Sequence, residues 1–188
     1  MPGRVSSIRY MILAAMFAAL TAVAGQIAIP LPPVPITLQT LVVMLAGSVL
    51  GARWGAVSMG LFILLAAFGV PVLSGGKAGL AALVGPTAGY IWSWPVAAFF
   101  IGWWTERMAP HLRFWKMVLV HVVWGMLFVY LLGVSWLTVA AALEWNVAVA
   151  TGMLPFLPGD IIKVLIASSI AVSLNRAYPL IQPRKASS

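Results

Sequence analysis

Charged side chains divide this chain into long apolar runs, with no Asp, Glu, Lys or Arg in residues 10–52, 54–76, 78–105 or 117–143. Each run provides at least the roughly 20 residues a helix needs to cross a hydrocarbon core of about 30 Å. The first is long enough for two crossings. Pro30, Pro32, Pro33 and Pro35 divide it, because proline lacks the donor a helix interior needs and restricts the residue before it. A last run starts near residue 153 and reaches Asn175, interrupted by Asp160 and Lys163. The pattern predicts an all-α integral membrane protein with six transmembrane helices. They span approximately residues 10–29, 36–52, 54–70, 85–105, 117–142 and 158–176 of one membrane domain covering 1–188.

Composition strengthens that reading. Apolar residues make up 63% of the chain and charged ones 7%, whereas soluble domains run near 45–50% and about 25%. The net charge of +8 is spread along the chain with no aromatic-interleaved basic patch, so no nucleic-acid partner is expected. The charges set orientation instead. Six crossings put both termini on one side, and the loops on that side hold Arg4, Arg9, Arg53, Arg107, Arg113, Lys116, Arg176, Arg184 and Lys185. The opposite loops hold Lys77. The positive-inside bias therefore predicts cytoplasmic N- and C-termini. The first run is span-length and is expected to stay rather than be cleaved as a signal peptide. The absence of cysteine excludes disulfides and thiolate chemistry.

The outer loops are rich in glycine and proline: residues 29–35, 69–76, 85–87 and 154–160. Irregular backbone near membrane depth is tolerated where protein buries it or where it lines a cavity. The rare polar groups beside these loops are the candidates for chemistry. Asp160 and Lys163, at i and i+3, share one face at the start of the last helix. One reading makes them a ligand pair, since intramembrane charges are costly and usually functional. The other makes Asp160 an N-cap after Pro158-Gly159, with Lys163 snorkelling outward or pairing with it. Thr37, Gln39, Thr87 and Tyr90 could bond a small ligand or simply pack between helices.

Ser74-Gly-Gly-Lys-Ala-Gly79 resembles a phosphate loop but fails its test, because Ala78 follows Lys77 and Pro71 stands five before Gly76. The chain has no other Walker A sequence, so ATP-driven work must come from a partner. His111 and His121 lack companions at metal-ligand spacing, Glu106 with Arg107 and Glu144 read as solvated loop charges, and no nucleophile–base set is present; the chain is not expected to be an enzyme. In the first helix Ala14, Ala18 and Ala22 repeat every four residues, with Ala15 and Ala19 beside them. Small residues at this spacing allow close helix packing, either on a partner or within the bundle.

Ile29-Pro-Leu-Pro-Pro-Val-Pro-Ile-Thr-Leu-Gln39, the turn at 69–76, Gly85-Pro-Thr-Ala-Gly-Tyr90 and Phe156-Leu-Pro-Gly-Asp-Ile-Ile-Lys163 resemble the signature segments of the BioY family. That family comprises biotin-binding S components of energy-coupling-factor (ECF) transporters. The resemblance runs in order from the first helix to the last. It implies an S-component bundle in a prokaryotic plasma or inner membrane that captures biotin from outside, with biotin as transported ligand and no cofactor. It also implies docking of the Ala14, Ala18 and Ala22 strip on a transmembrane coupling subunit that carries two ATPase subunits. Carried onto matching positions, the ligand site comprises Gln39, Gly75, Gly76, Lys77, Thr87, Tyr90, Asp160 and Lys163. Where some members carry asparagine this chain has Lys77, and where some carry arginine after the tyrosine it has Ile91, so a cation has changed loops. An S component for another vitamin and a solitary oligomeric biotin transporter are the two alternatives.

Overall fold

The computed structural model describes residues 2–109 and 111–177, with side chains from Ser7 onward. Arg184, Lys185 and the side chain of Arg4 lie outside the described residues. The chain begins with α1 (Pro2–Gln26), a ribbon of β1 (Ala28–Ile29) and β2 (Ile36–Thr37), and α2 (Gln39–Ala67). The short α3 (Leu80–Leu83) precedes α4 (Ala88–Met108). Next, α5 (Phe114–Val120) runs through a π-helical segment, His121–Leu127, into α6 (Phe128–Ala140). Finally α7 (Trp145–Gly152) leads to α8 (Leu157–Ala177). Among the described residues, four stretches are long and apolar enough to cross a membrane: Ser7–Gln26, Gln39–Ala67, Phe114–Ala140 and Trp145–Ala177.

The difference from six has local causes. The expected second and third spans fall on one helical stretch, α2, which turns at Gly51 with φ 81° and ψ −178°. Gly55 thereby returns beside Gly47, where an added Cβ would lie 3.0 Å from the Gly47 Cα. Along a straight helix those residues would stand about 12 Å apart. Arg53, taken as the separator, sits just inside the second arm. The expected fourth span is α4, where Trp92, Trp94, Trp103 and Trp104 with Tyr90 and the internal Pro95 lower the hydropathy. The strictly all-α expectation is also corrected: the proline-rich segment is closed by an antiparallel ribbon pairing Ala28 with Thr37 and Ile29 with Ile36.

The Gly51 turn is held from α4. Glu106 Oε1 accepts the Ala52 N–H at 2.7 Å, so this carboxylate is a backbone cap and not the free loop charge expected of it. Gly102 lies against the turn so closely that a Cβ would stand 2.2 Å from the Gly51 carbonyl carbon. Because backbone cannot move aside as a side-chain tip can, Gly102→Ala is expected to destabilise the fold by about 1–3 kcal/mol, the scale of overpacking. A depressed unfolding temperature in detergent checks it; an unchanged one would show that the turn yields.

Deeper in the bundle, the fully buried His121 joins three helices. Its Nδ1 is 2.9 Å from Ser168 Oγ and its Nε2 is 2.7 Å from Ser48 Oγ. Ser168 donates to the Val164 carbonyl at 2.7 Å, so it accepts from Nδ1–H, and Nε2 accepts from Ser48. Every polar atom of the ring is thus satisfied inside the protein.

The alanine strip requires a correction. Ala14 and Ala18 are 2% and 0% exposed, and Ala22 packs on the core. Ser58 donates to the Ala14 carbonyl at 2.8 Å, which places α2 directly over the strip. Ala14 and Ala18 thereby seat α1 on its own bundle, while Ala22 stays half-buried. Ala15 and Ala19 face outward, flanked by exposed Met11, Met16, Leu20 and Val23.

Candidate functional site

All four glycine- and proline-rich loops converge on one cavity of about 300 Å³. Its rim takes Pro33 and Pro35 from the ribbon loop, Ser74 and Lys77 from the second loop, and Pro86 from the third, while Phe156 enters from the fourth. The loops are tied to the helices by backbone acceptors. Gln26 donates to the Leu73 carbonyl at 3.2 Å, Gly79 N–H to the Ala66 carbonyl at 2.7 Å, and the Trp136 indole to the Gly85 carbonyl at 2.9 Å.

At the base of the cavity stands a buried ion pair. Lys163 Nζ is 2.7 Å from Asp160 Oδ1, with the residues 6% and 4% exposed respectively. Lys163 also donates to the Thr37 carbonyl at 2.6 Å and to Thr40 Oγ1 at 3.2 Å. Tyr130 donates its hydroxyl to Asp160 Oδ2. Helix α8 begins at Leu157, so Asp160 lies within its first turn, and its carboxylate is engaged by side chains. The N-cap reading is therefore overturned, as is outward snorkelling of Lys163. Spacing explains the pair: one helical turn brings i and i+3 together on the face that meets α2 and α6.

The remaining expected residues divide. Gln39 and Thr87 line the cavity, and so does Tyr90, although its hydroxyl is committed to the Gly152 carbonyl at 2.8 Å. What Tyr90 offers is its ring. Lys77 is exposed at the rim. Gly75 and Gly76 do not line the cavity; with φ of 70° and 72° they form the turn that carries Ser74 and Lys77 to it. The sequence reading passed over Tyr130, Thr40 and Trp94, all of which line the cavity. Tyr130 carried a usable signal, as a hydroxyl in the middle of an otherwise apolar run. Trp94 carried none, since tryptophan is common in membrane helices.

The arrangement suits one small ligand with a polar, neutral end and an apolar body. Ile91, Trp94, Val129 and Phe156 supply apolar wall, and the Asp160 carboxylate, with one lone pair on Oδ2 still open, can accept from a ligand N–H. Among the described residues no group of three or more His, Asp or Glu side chains could hold a metal ion.

Comparison with known proteins agrees with this architecture. Residues 1–180 match the model of the BioY family. The chain is 38% identical over 186 residues to a protein of Rhizobium etli named "Biotin transporter BioY", covering 95% of this chain and 99% of that protein. It is 40% identical over 163 residues to a "Probable biotin transporter BioY" of Pyrococcus horikoshii, covering 87% and 94%. The crystal structure of an S-component for biotin from an ECF-type ABC transporter superposes with a TM-score of 0.85 at 30% identity, covering 90% of this chain and 92% of that one.

Proposed function

The chain belongs to the BioY family, and on that premise we propose that it is the substrate-binding subunit of a biotin transporter, a membrane protein and not an enzyme. The observation that carries this reading is the buried Asp160–Lys163 pair at the base of a cavity closed by four loops. Biotin has two ureido N–H donors flanking one carbonyl, an apolar bicycle and a carboxylate tail. The ureido end goes deep, where Asp160 accepts an N–H, and Lys163 holds that carboxylate in place. The bicycle packs on Ile91, Trp94 and Phe156. The tail carboxylate ends at the rim beside Lys77, the exposed cation there.

We further propose six crossings with both termini cytoplasmic. The two arms of α2, the long α4 and the excess of basic residues in the loops assigned to one side support this. Bacterial and archaeal relatives support a prokaryotic plasma membrane. Without a Walker A sequence the chain needs an energy source. An ECF coupling subunit with two ATPase subunits supplies it, docked on the outward face of α1 at Ala15 and Ala19.

Isothermal titration of purified protein with biotin tests the reading: saturable one-to-one binding is expected, and no heat with biotin beside binding of another vitamin would overturn it. Lys77→Ala should weaken biotin binding by no more than about fivefold, because exposed pairs contribute about 0.2–1 kcal/mol. The same variant should not change affinity for biotinamide, whose tail is neutral. Equal losses on both ligands would move the carboxylate elsewhere.

A further inference from the structure

The end of the bundle away from the cavity carries cations with no carboxylate to balance them. Helix α4 has Tyr90 at the cavity and Arg107 in its last turn, about 25 Å apart at 1.5 Å per residue. Met108 packs with Leu112 and Met117 in one apolar cluster, and Thr105 Oγ1 is 3.9 Å from Met117 Sδ, which holds the start of α5 against the end of α4. Arg107, Arg113 and Lys116 are the sequence neighbours of those three apolar residues, and all three are exposed. Val172 of α8 belongs to the same cluster, and exposed Arg176 follows it by one turn.

The chain has three acidic residues. Asp160 is held by Lys163 in the cavity, Glu144 precedes α7, and Glu106 caps the Ala52 N–H. Among the described residues the Asp160–Lys163 contact is the one ion pair, so the cations of this corner have no carboxylate partner there. Arg107 has a ring instead: its guanidinium carbon lies 3.6 Å from the centroid of Trp103. That contact positions the guanidinium and leaves its charge uncompensated.

The surroundings decide which anion fits. Trp104 and Trp115 are exposed beside the cations, and tryptophan favours the membrane–water interface, where lipid headgroups lie. From Trp115 an exposed apolar stripe of Leu119, Val123 and Leu127 runs along α5 and its π-helical continuation. Residues four apart share one side of a helix. Topology alone accounts for an excess of basic residues on one side of a membrane. It does not ask for three of them at one helix corner, beside a tryptophan platform and at the head of an apolar stripe.

We propose that the α4–α5 corner binds one anionic phospholipid, with its phosphate among Arg107, Arg113 and Lys116 and its acyl chains along the stripe from Trp115 to Leu127. Basic pockets between membrane helices take such headgroups. A soluble anion or an acidic peptide would match the charge and leave the stripe and the tryptophans unused. The site is distinct from the cavity, so it bears on how the protein is seated in its membrane and not on what it carries.

Native mass spectrometry of the purified protein, titrated in detergent with phosphatidylglycerol or phosphatidylcholine of the same acyl chains, tests the site. The wild type should hold one phosphatidylglycerol about tenfold more tightly than phosphatidylcholine. Arg107→Gln with Lys116→Gln should lose most of that preference, whereas Arg9→Gln with Arg53→Gln, which removes the same charge elsewhere, should keep it. Trp103→Leu should reduce it by about two- to fivefold, the share of a cation–π contact. Glycerol phosphate, a headgroup without chains, should not compete at equal concentration. A wild type without the preference overturns the proposal, and so does an equal loss in the two double variants, which would mean diffuse surface charge. Competition by glycerol phosphate would make this a site for a soluble anion and overturn the lipid. If Arg107→Gln with Lys116→Gln keeps its lipid preference but no longer purifies with coupling and ATPase subunits, the corner is a protein interface and the proposal falls. Should that double variant fail to fold, as its unfolding temperature in phosphatidylcholine will show, the wild-type preference and its reduction in Trp103→Leu decide.

Discussion

Asp160→Asn is expected to weaken biotin binding by about 1.5–3 kcal/mol, the scale of a charge-assisted hydrogen bond left unmade, or roughly ten- to 150-fold in dissociation constant. In the wild type one carboxylate oxygen accepts from Lys163 and Thr40 and the other from Tyr130. An amide has one acceptor oxygen, so its NH₂ must face either Tyr130 or the ammonium, donor against donor. Lys163, 6% exposed, would also lose its counter-ion. Breaking a buried pair from one side costs about 3–5 kcal/mol, so the fold should loosen as well. That second effect obscures the first unless the two are separated. Lys163→Ala alone should weaken binding comparably, because the carboxylate it holds is left unsupported. The double variant Asp160→Asn with Lys163→Met removes both charges and should regain thermal stability, since neutral replacement of a buried pair is often well tolerated. It should not regain binding. Titration calorimetry and thermal unfolding on the three variants resolve the question, and a double variant that binds biotin as the parent does would reduce the pair to scaffold.

The legibility of this pair in the sequence has a physical basis. A charge inside an apolar run is rare because it is expensive, so Asp160 and Lys163 stood out without any tertiary information. The convergence of the four loops was likewise legible, since irregular backbone at membrane depth needs a cavity or burial. Tyr130 was legible only as a hydroxyl in an apolar run, and Trp94 not at all. Composition counts both as apolar, and their polar atoms matter only because α4 and α6 bring them to the same cavity. The Gly51 turn was misplaced toward Arg53 because charge marks where a chain leaves the membrane, whereas the turn lies where a left-handed backbone and the Glu106 cap allow it.

The alanine ladder of α1 failed for a related reason, and it leads to the other large expected effect. Ala14, Ala18 and Ala22 and the pair Ala15 and Ala19 are adjacent ladders one residue apart, about 100° around the helix. Nothing within α1 distinguishes the ladder that faces the bundle. What decides it is the bundle, in which Ser58 of α2 bonds the Ala14 carbonyl and Ala18 is fully buried in the core. Ala18→Trp is therefore expected to disrupt the fold itself, lowering unfolding temperature and biotin binding together, because a closed site cannot take that volume without shifting helices. Ala19→Trp and Ala15→Trp project outward and should leave stability and biotin affinity unchanged. Ala15 lies about 15 Å along the helix from Gly25, at 1.5 Å per residue, far from the ribbon end that carries the cavity. In cells holding the coupling and ATPase subunits, biotin uptake by these two variants should nevertheless fall to near background, since bulk on an outward small-residue ladder keeps a partner helix from seating. Uptake, binding and unfolding measured on the same three variants give distinct signatures. Normal uptake with Ala19→Trp and Ala15→Trp would remove α1 as the docking face, and undisturbed folding of Ala18→Trp would contradict the packing of α1 on α2.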